Sequence, residues 1–90
     1  MNKAELIARV AKDARLTKAA ATRAIDAVCE NVTKALRKGE KVTLVGFGTF
    51  GVSRRRARAG RNPRTGAPIR IAARRSPKFS PGKELRDLIR

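Results

Sequence analysis

The chain has no histidine, no tryptophan and no tyrosine, and only one cysteine, Cys29. One thiol forms no internal disulfide and supplies no zinc cluster. Without histidine, imidazole-based metal and catalytic sites are excluded as well. Carboxylates are scarce: 7 Asp+Glu stand against 23 Lys+Arg. No acidic pair beside a glycine loop and no activated thiol is present, so no catalytic constellation forms and an enzyme is not expected. No run of about 18 apolar residues exists, which excludes a membrane-spanning helix. The N-terminus, MNKAELIARV, lacks the apolar stretch of a signal peptide. A cytoplasmic protein without cofactor or small-molecule substrate is expected.

What is present is positive charge, a formal +16 in 90 residues. Such an imbalance destabilises a compact state through self-repulsion, and a polyanion relieves it. Nucleic acid is the first candidate and an anionic membrane surface the second. The charge is unevenly placed. Residues 1–40 hold nine basic and five acidic side chains, whereas residues 41–83 hold twelve basic and none acidic. The first forty residues therefore read as scaffold and the middle as a binding surface. A single domain this small buries little core alone, so a partner subunit is expected.

Asn2 followed by Glu5 marks a helix start. Leu6, Ile7, Val10, Ala11 and Ala14 follow at helical spacing, to an end near Arg15-Leu16. Thr17 is a second N-cap, and Ala21, Ile25, Val28, Val32 and Leu36 form the apolar stripe of a longer helix that stops at Gly39. Cys29, among those positions, reads as a buried small hydrophobe. Residues 1–40 are thus a helical hairpin, a start shared with helix–turn–helix DNA readers. From Lys41 the pattern changes. Val42 to Val45 predict a short strand, Gly46-Phe47-Gly48 a tight turn, and Thr49 onward a second strand running through Ser53 into RRRAR. Ile69 and Ile71 alternate with Arg70 and Ala72, as in a half-exposed strand. Ser80-Pro81-Gly82 predicts a third helix with Pro81 at its first position.

Between residues 53 and 75 few large apolar side chains are available to fold against a core. About ten residues per strand at roughly 3.3 Å each reach about 30 Å, against a radius of gyration of about 13 Å for a domain of this size. A projecting hairpin arm is expected. It carries Arg54, Arg55, Arg56, Arg58, Arg61, Arg64, Arg70, Arg74 and Arg75, and arginine rather than lysine fills every arm position. Guanidinium groups suit phosphate oxygens and narrow grooves. At its tip, GRNPRTG (60–66) reads as a β-turn with Asn62 first, Pro63 second and Gly66 closing. A proline at such an apex is also a rigid apolar wedge that can enter between base pairs while neighbouring arginines hold phosphates. The two readings are compatible. Phe47, Phe50 and Phe79 are the only aromatics. They are either base-stacking platforms or core, and core at a subunit interface is favoured. Lys3, Lys83 and Arg86 sit at or near helix ends, either as capping charges or as phosphate contacts. Gly46-Phe47-Gly48 superficially resembles a phosphate-binding loop but lacks its lysine–serine pair and following helix.

MNKAELI, VTLVGFGTF, GRNPRTG and PGKELRDLI together resemble the HU/IHF family of bacterial DNA-bending proteins, over the whole of residues 1–90. The resemblance implies an α+β fold: an N-terminal helical hairpin (1–40), an antiparallel sheet (41–80) extended into a β-ribbon arm (about 53–75), and a short C-terminal helix (81–90). It also implies an intertwined dimer, with a homodimer favoured and a heterodimer open. Each subunit would send one arm into the minor groove of double-stranded DNA. By position, Arg61, Asn62 and Pro63 match the arm tip, with Pro63 intercalating. Arg54, Arg55, Arg58, Arg70 and Arg74 match groove-lining positions. Phe47, Phe50 and Phe79, together with Leu36 and Leu44, are assigned to the dimer core. Minor-groove benders, this family included, use apolar wedges, so the wedge and the resemblance are not independent. Arg74-Arg75 lean toward IHF-type members; the N-terminal pattern and the ending DLIR, without a basic tail, lean toward HU. The resulting expectation is a nucleoid-associated architectural protein of low sequence specificity. The alternatives are an IHF-type subunit acting at defined sites and a basic RNA-binding protein of ribosomal type.

Overall fold

Asn2 opens the first helix with an extended backbone (φ −103°, ψ −178°), and its Oδ1 accepts the Glu5 N–H at 2.9 Å. That bond satisfies one of the amide donors a helix start leaves unpaired. The structure, a computed structural model, describes every residue from Met1 to Arg90. The chain divides into two compact units, Met1–Ala35 and Leu36–Arg90.

In the first unit, α1 (Lys3–Ala14) ends at Arg15 in the left-handed conformation, whose N–H reaches Ala11 O and Lys12 O. Thr17 Oγ1 then accepts the Ala20 N–H at 3.0 Å and starts α2 (Lys18–Arg37). Both caps are those expected from the sequence. Ala11 and Ala21 are the buried hydrophobic residues, and Ile7, Val10 and Ile25 are half-buried. Cys29, expected to be buried, is exposed. Val28 beside it is 58% exposed and no large side chain is fully buried, because a single chain of this size leaves part of the α2 apolar stripe open.

In the second unit, β1 (Val42–Leu44), β2 (Gly48–Arg55) and β5 (Arg74–Pro81) form an antiparallel sheet in the order β1-β2-β5. β3 (Arg58–Arg61) and β4 (Pro68–Ile71) form a separate two-stranded ribbon, and α3 spans Lys83–Ile89. Four sequence expectations are corrected here. Val45 is in the turn rather than the strand and is 95% exposed. The arm is not one continuous ribbon. Pairing runs without a break to Arg55↔Arg74, stops at residues 56–57 and 72–73, and resumes at Arg58↔Ile71. Residues 53–55 and 74–76 are thus paired within the three-stranded sheet and form the root of the arm. Pro81 does not start α3; it is the last residue of β5, opposite Gly48, and Gly82 is the N-cap. The Gly82 N–H donates to Phe47 O at 2.9 Å, which keeps the chain extended one residue further than the proline suggested. Finally, the tip is wider than a β-turn: the Gly66 N–H reaches Asn62 O at 2.8 Å, a five-residue closure.

Phe47, Phe50 and Phe79 cluster, with ring centroids 5.4 Å apart for Phe47–Phe79 and 4.9 Å for Phe50–Phe79, both tilted by 47°. Gly48 makes this possible. A Cβ there would lie 2.6 Å from Phe79 Cζ and 2.7 Å from Ser80 O. Phe47 and Phe79 nevertheless remain 46% and 39% exposed on this chain, and no large side chain anywhere is fully buried.

Candidate nucleic-acid interface

Alternation along paired strands assigns each side chain to a face. In the three-stranded sheet one face carries Val42, Leu44, Phe50, Val52, Phe79 and Pro77. The other carries Thr43, Thr49, Ser53, Ser76, Lys78 and Ser80, and ends in Arg55 and Arg74. Thr43 and Thr49 share a hydroxyl–hydroxyl bond of 3.2 Å on that face, and Lys41 and Lys78 line a shallow groove with Thr49, Ser53 and Ser80. No carboxylate occurs between Lys41 and Lys83. One side of the sheet is thus apolar, and the other is a cationic, hydroxyl-bearing surface with donors for phosphate oxygens. The hydroxyls and the two lysines were missed in the sequence. They are signalled only by register: Lys41, Thr43, Thr49, Gly51 and Ser53, and Ser76, Lys78 and Ser80, are small or basic and fall on one face once the strands are paired.

The nine arm arginines separate in the same way. Arg55 lies directly opposite Arg74 on the polar face. Neither side chain makes a hydrogen bond or ion pair within the chain. Like charges directly opposite are destabilising, so this pair favours an external anion. Arg56 and Arg58 line a concavity with them where the sheet ends. Further out each arginine faces an uncharged residue: Arg58 opposite Ile71, Arg70 opposite Ala59, Arg61 opposite Pro68. Arg54 and Arg75 fall on the opposite, apolar face of the sheet.

The tip is organised by Asn62. Its Oδ1 accepts the Arg64 N–H at 2.8 Å, its N–H donates to Ala67 O at 2.8 Å, and its carbonyl accepts from Gly66. Gly66 takes φ 70°, a conformation that favours glycine. Thr65 Oγ1 accepts the Ala67 N–H at 3.2 Å. Pro63 is left exposed at the apex between Arg61 and Arg64, with no N–H to satisfy. Asn62 is therefore occupied with the turn itself.

Three predicted contacts lie on other elements. Lys3 Nζ is 2.6 Å from Asp26 Oδ1, and this hydrogen bond, with the carboxylate charge behind it, raises the lysine above its ordinary pKa. Lys83 and Arg86 are exposed on α3. No helix is long and apolar enough to cross a membrane.

Known proteins share this architecture. The chain is 58% identical over 90 residues to DNA-binding protein HU of Xylella fastidiosa, covering 100% of this chain and 96% of that one. It is 57% identical over 89 residues to DNA-binding protein HU-beta of Pseudomonas aeruginosa, covering 99% of each. Among solved structures, an Anabaena HU–DNA cocrystal matches with a TM-score of 0.86 at 46% identity, over 99% of this chain and 97% of the other. HU from Thermotoga maritima matches with a TM-score of 0.71 at 38% identity, over 100% of both chains. The family model described as "Bacterial DNA-binding protein" matches residues 1–90, and with arm, sheet and helical pair all in place the chain belongs to that family.

Proposed function

We propose that this protein is an HU-type architectural protein: a dimer that binds double-stranded DNA in the minor groove through its arms and bends it by inserting Pro63. The observation that carries this reading is the tip. An exposed proline sits at the apex of a hydrogen-bonded turn, between Arg61 and Arg64, on an arm without a single carboxylate. Arg55, Arg56, Arg58, Arg61, Arg64, Arg70 and Arg74 follow the backbone, and Lys41 and Lys78 meet phosphates across the polar sheet face. Lys3 on α1 and Lys83 and Arg86 on α3 are further phosphate contacts in this reading. Affinity comes from counterion release and preference from DNA deformability. The protein is a nucleoid component that compacts DNA without catalysing a reaction. HU-type rather than IHF-type behaviour is supported by the names of its relatives.

The dimer is supported by the half-exposed Phe47 and Phe79 and the exposed Leu44. A second copy would cover them, with the half-buried Leu36 and Phe50 completing the shared core.

Binding to a nicked and an intact duplex of one length and sequence tests the reading. The nicked duplex should bind more tightly. With about eight phosphates neutralised, log K should fall against log salt with a slope near −7. Equal affinity for both duplexes contradicts bending as the source of preference. Tighter binding to structured RNA than to either duplex favours the RNA-binding alternative.

A further inference from the structure

Two of the nine arm arginines have a destination on the protein itself. Arg54 and Arg75 are direct cross-strand partners at the root of the arm. Arg75 Nη1 donates to Arg37 O, the last residue of α2, at 3.3 Å. Arg54 lies against the next turn: its Nη2 is 3.2 Å from the position a Cβ would take on Gly39. Gly39, at φ 79°, closes the helix through its N–H bond to Leu36 O. The last carbonyls of a helix lack intrahelical partners and carry the negative end of its dipole. There Arg75 meets a carbonyl acceptor, and Arg54 lies beside it in the same favourable field. The other arginine pair, Arg55 and Arg74, is one residue away in the same strands with the same register, yet points to the other face and finds no acceptor. Identical composition thus has two fates, decided by strand alternation.

We infer that Arg54 and Arg75 are positioning residues: together they cap the C-terminal end of α2 and fasten the root of the arm to it, and they do not contact DNA. The repulsion expected between two arginines held side by side is offset by the helix end they share. The cap fixes the direction in which β2 and β5 leave the body, so the groove-lining arginines beyond it are presented from a fixed base.

The first readout needs no DNA and stands apart from the DNA-bending reading. Amide hydrogen exchange at Gly39 and the last turn of α2 is compared in the wild type, Arg75→Ala, Arg75→Lys and Arg55→Ala. Arg75→Ala should speed exchange there about two- to five-fold, the scale of a charge at a helix end. Arg75→Lys should restore most of the protection, because an ammonium keeps the charge and a donor. Arg55→Ala should leave these amides unchanged. The second readout, which rests on the proposed function, is the salt slope of duplex binding. It should stay at the wild-type value in Arg75→Ala and become shallower by about one unit in Arg55→Ala. Unaltered exchange in Arg75→Ala, or a slope reduced in Arg75→Ala as in Arg55→Ala, overturns the inference. If no variant, nor the wild type, binds duplex, the proposed function fails while the exchange result still decides the cap.

Discussion

Single residues here are constrained by what lies opposite them. Gly48 is the clearest case. Its Cα faces Pro81 across the sheet, and the Phe79 ring occupies the space a side chain would need. The obstacles are an aromatic ring packed on two others and a backbone carbonyl, neither of which yields easily. Gly48→Ala should therefore destabilise the protein by about 1–3 kcal/mol, the usual cost of overpacking. Urea denaturation checks this, and an unchanged midpoint would show that Phe79 can move aside. At the tip, Asn62 uses its side chain on the Arg64 amide, so Pro63 is presented by a turn held by three hydrogen bonds around one residue.

At the scale of elements, the helical pair is tied by Lys3 and Asp26 at 2.6 Å, both more than half exposed. The lysine's pKa is raised, first by the hydrogen bond to the carboxylate and then by its charge. A group whose folded-state pKa is raised contributes its stability below the unfolded-state value and loses it as pH rises through the folded-state value. The lysine's contribution is therefore present at neutral pH and is lost as pH rises through the alkaline range. In Asp26→Asn the Lys3 titration, followed by NMR, should move down toward the ordinary lysine value; an unmoved titration would mean that the pair is absent in solution.

Much of this level was legible in the sequence. Asn2, Thr17 and Gly39 mark helix ends through local chemistry, which needs no tertiary information. The arm was legible because an apolar-poor stretch cannot form a core. The break at residues 56–57 and 72–73 was not legible, because nothing in RRRAR distinguishes a paired arginine from an unpaired one. The extension of β5 through Pro81 depends on a bond from Gly82 to Phe47, thirty-five residues away. The split of the arginines between two faces required the register of β2 with β5. The exposure of Cys29 required knowing how much of the α2 stripe one chain covers.

At the scale of the whole molecule, two properties of the chain pull in opposite directions with salt. A formal charge of +16 on 90 residues repels itself. Added salt screens that repulsion, so the Tm of the free protein should rise between low and physiological ionic strength, while duplex affinity falls over the same range. Because the phenylalanine cluster is left half-exposed on one chain, folding and pairing should be coupled, and Tm should also rise with protein concentration. Calorimetry over a hundredfold concentration range, at low and at physiological ionic strength, measures both effects. A Tm independent of concentration would point to a monomer stable without its partner.

The central claim is that an exposed proline, carried to the groove by an arm of arginines, deforms the duplex. Energy transfer between dyes at the two ends of a duplex, at saturating protein, tests it most directly when wild type and Pro63→Ala are compared. The expected result is a clear loss of end-to-end transfer in Pro63→Ala, with affinity reduced much less, because the arginines still hold the backbone. Equal transfer for the two proteins would contradict the claim.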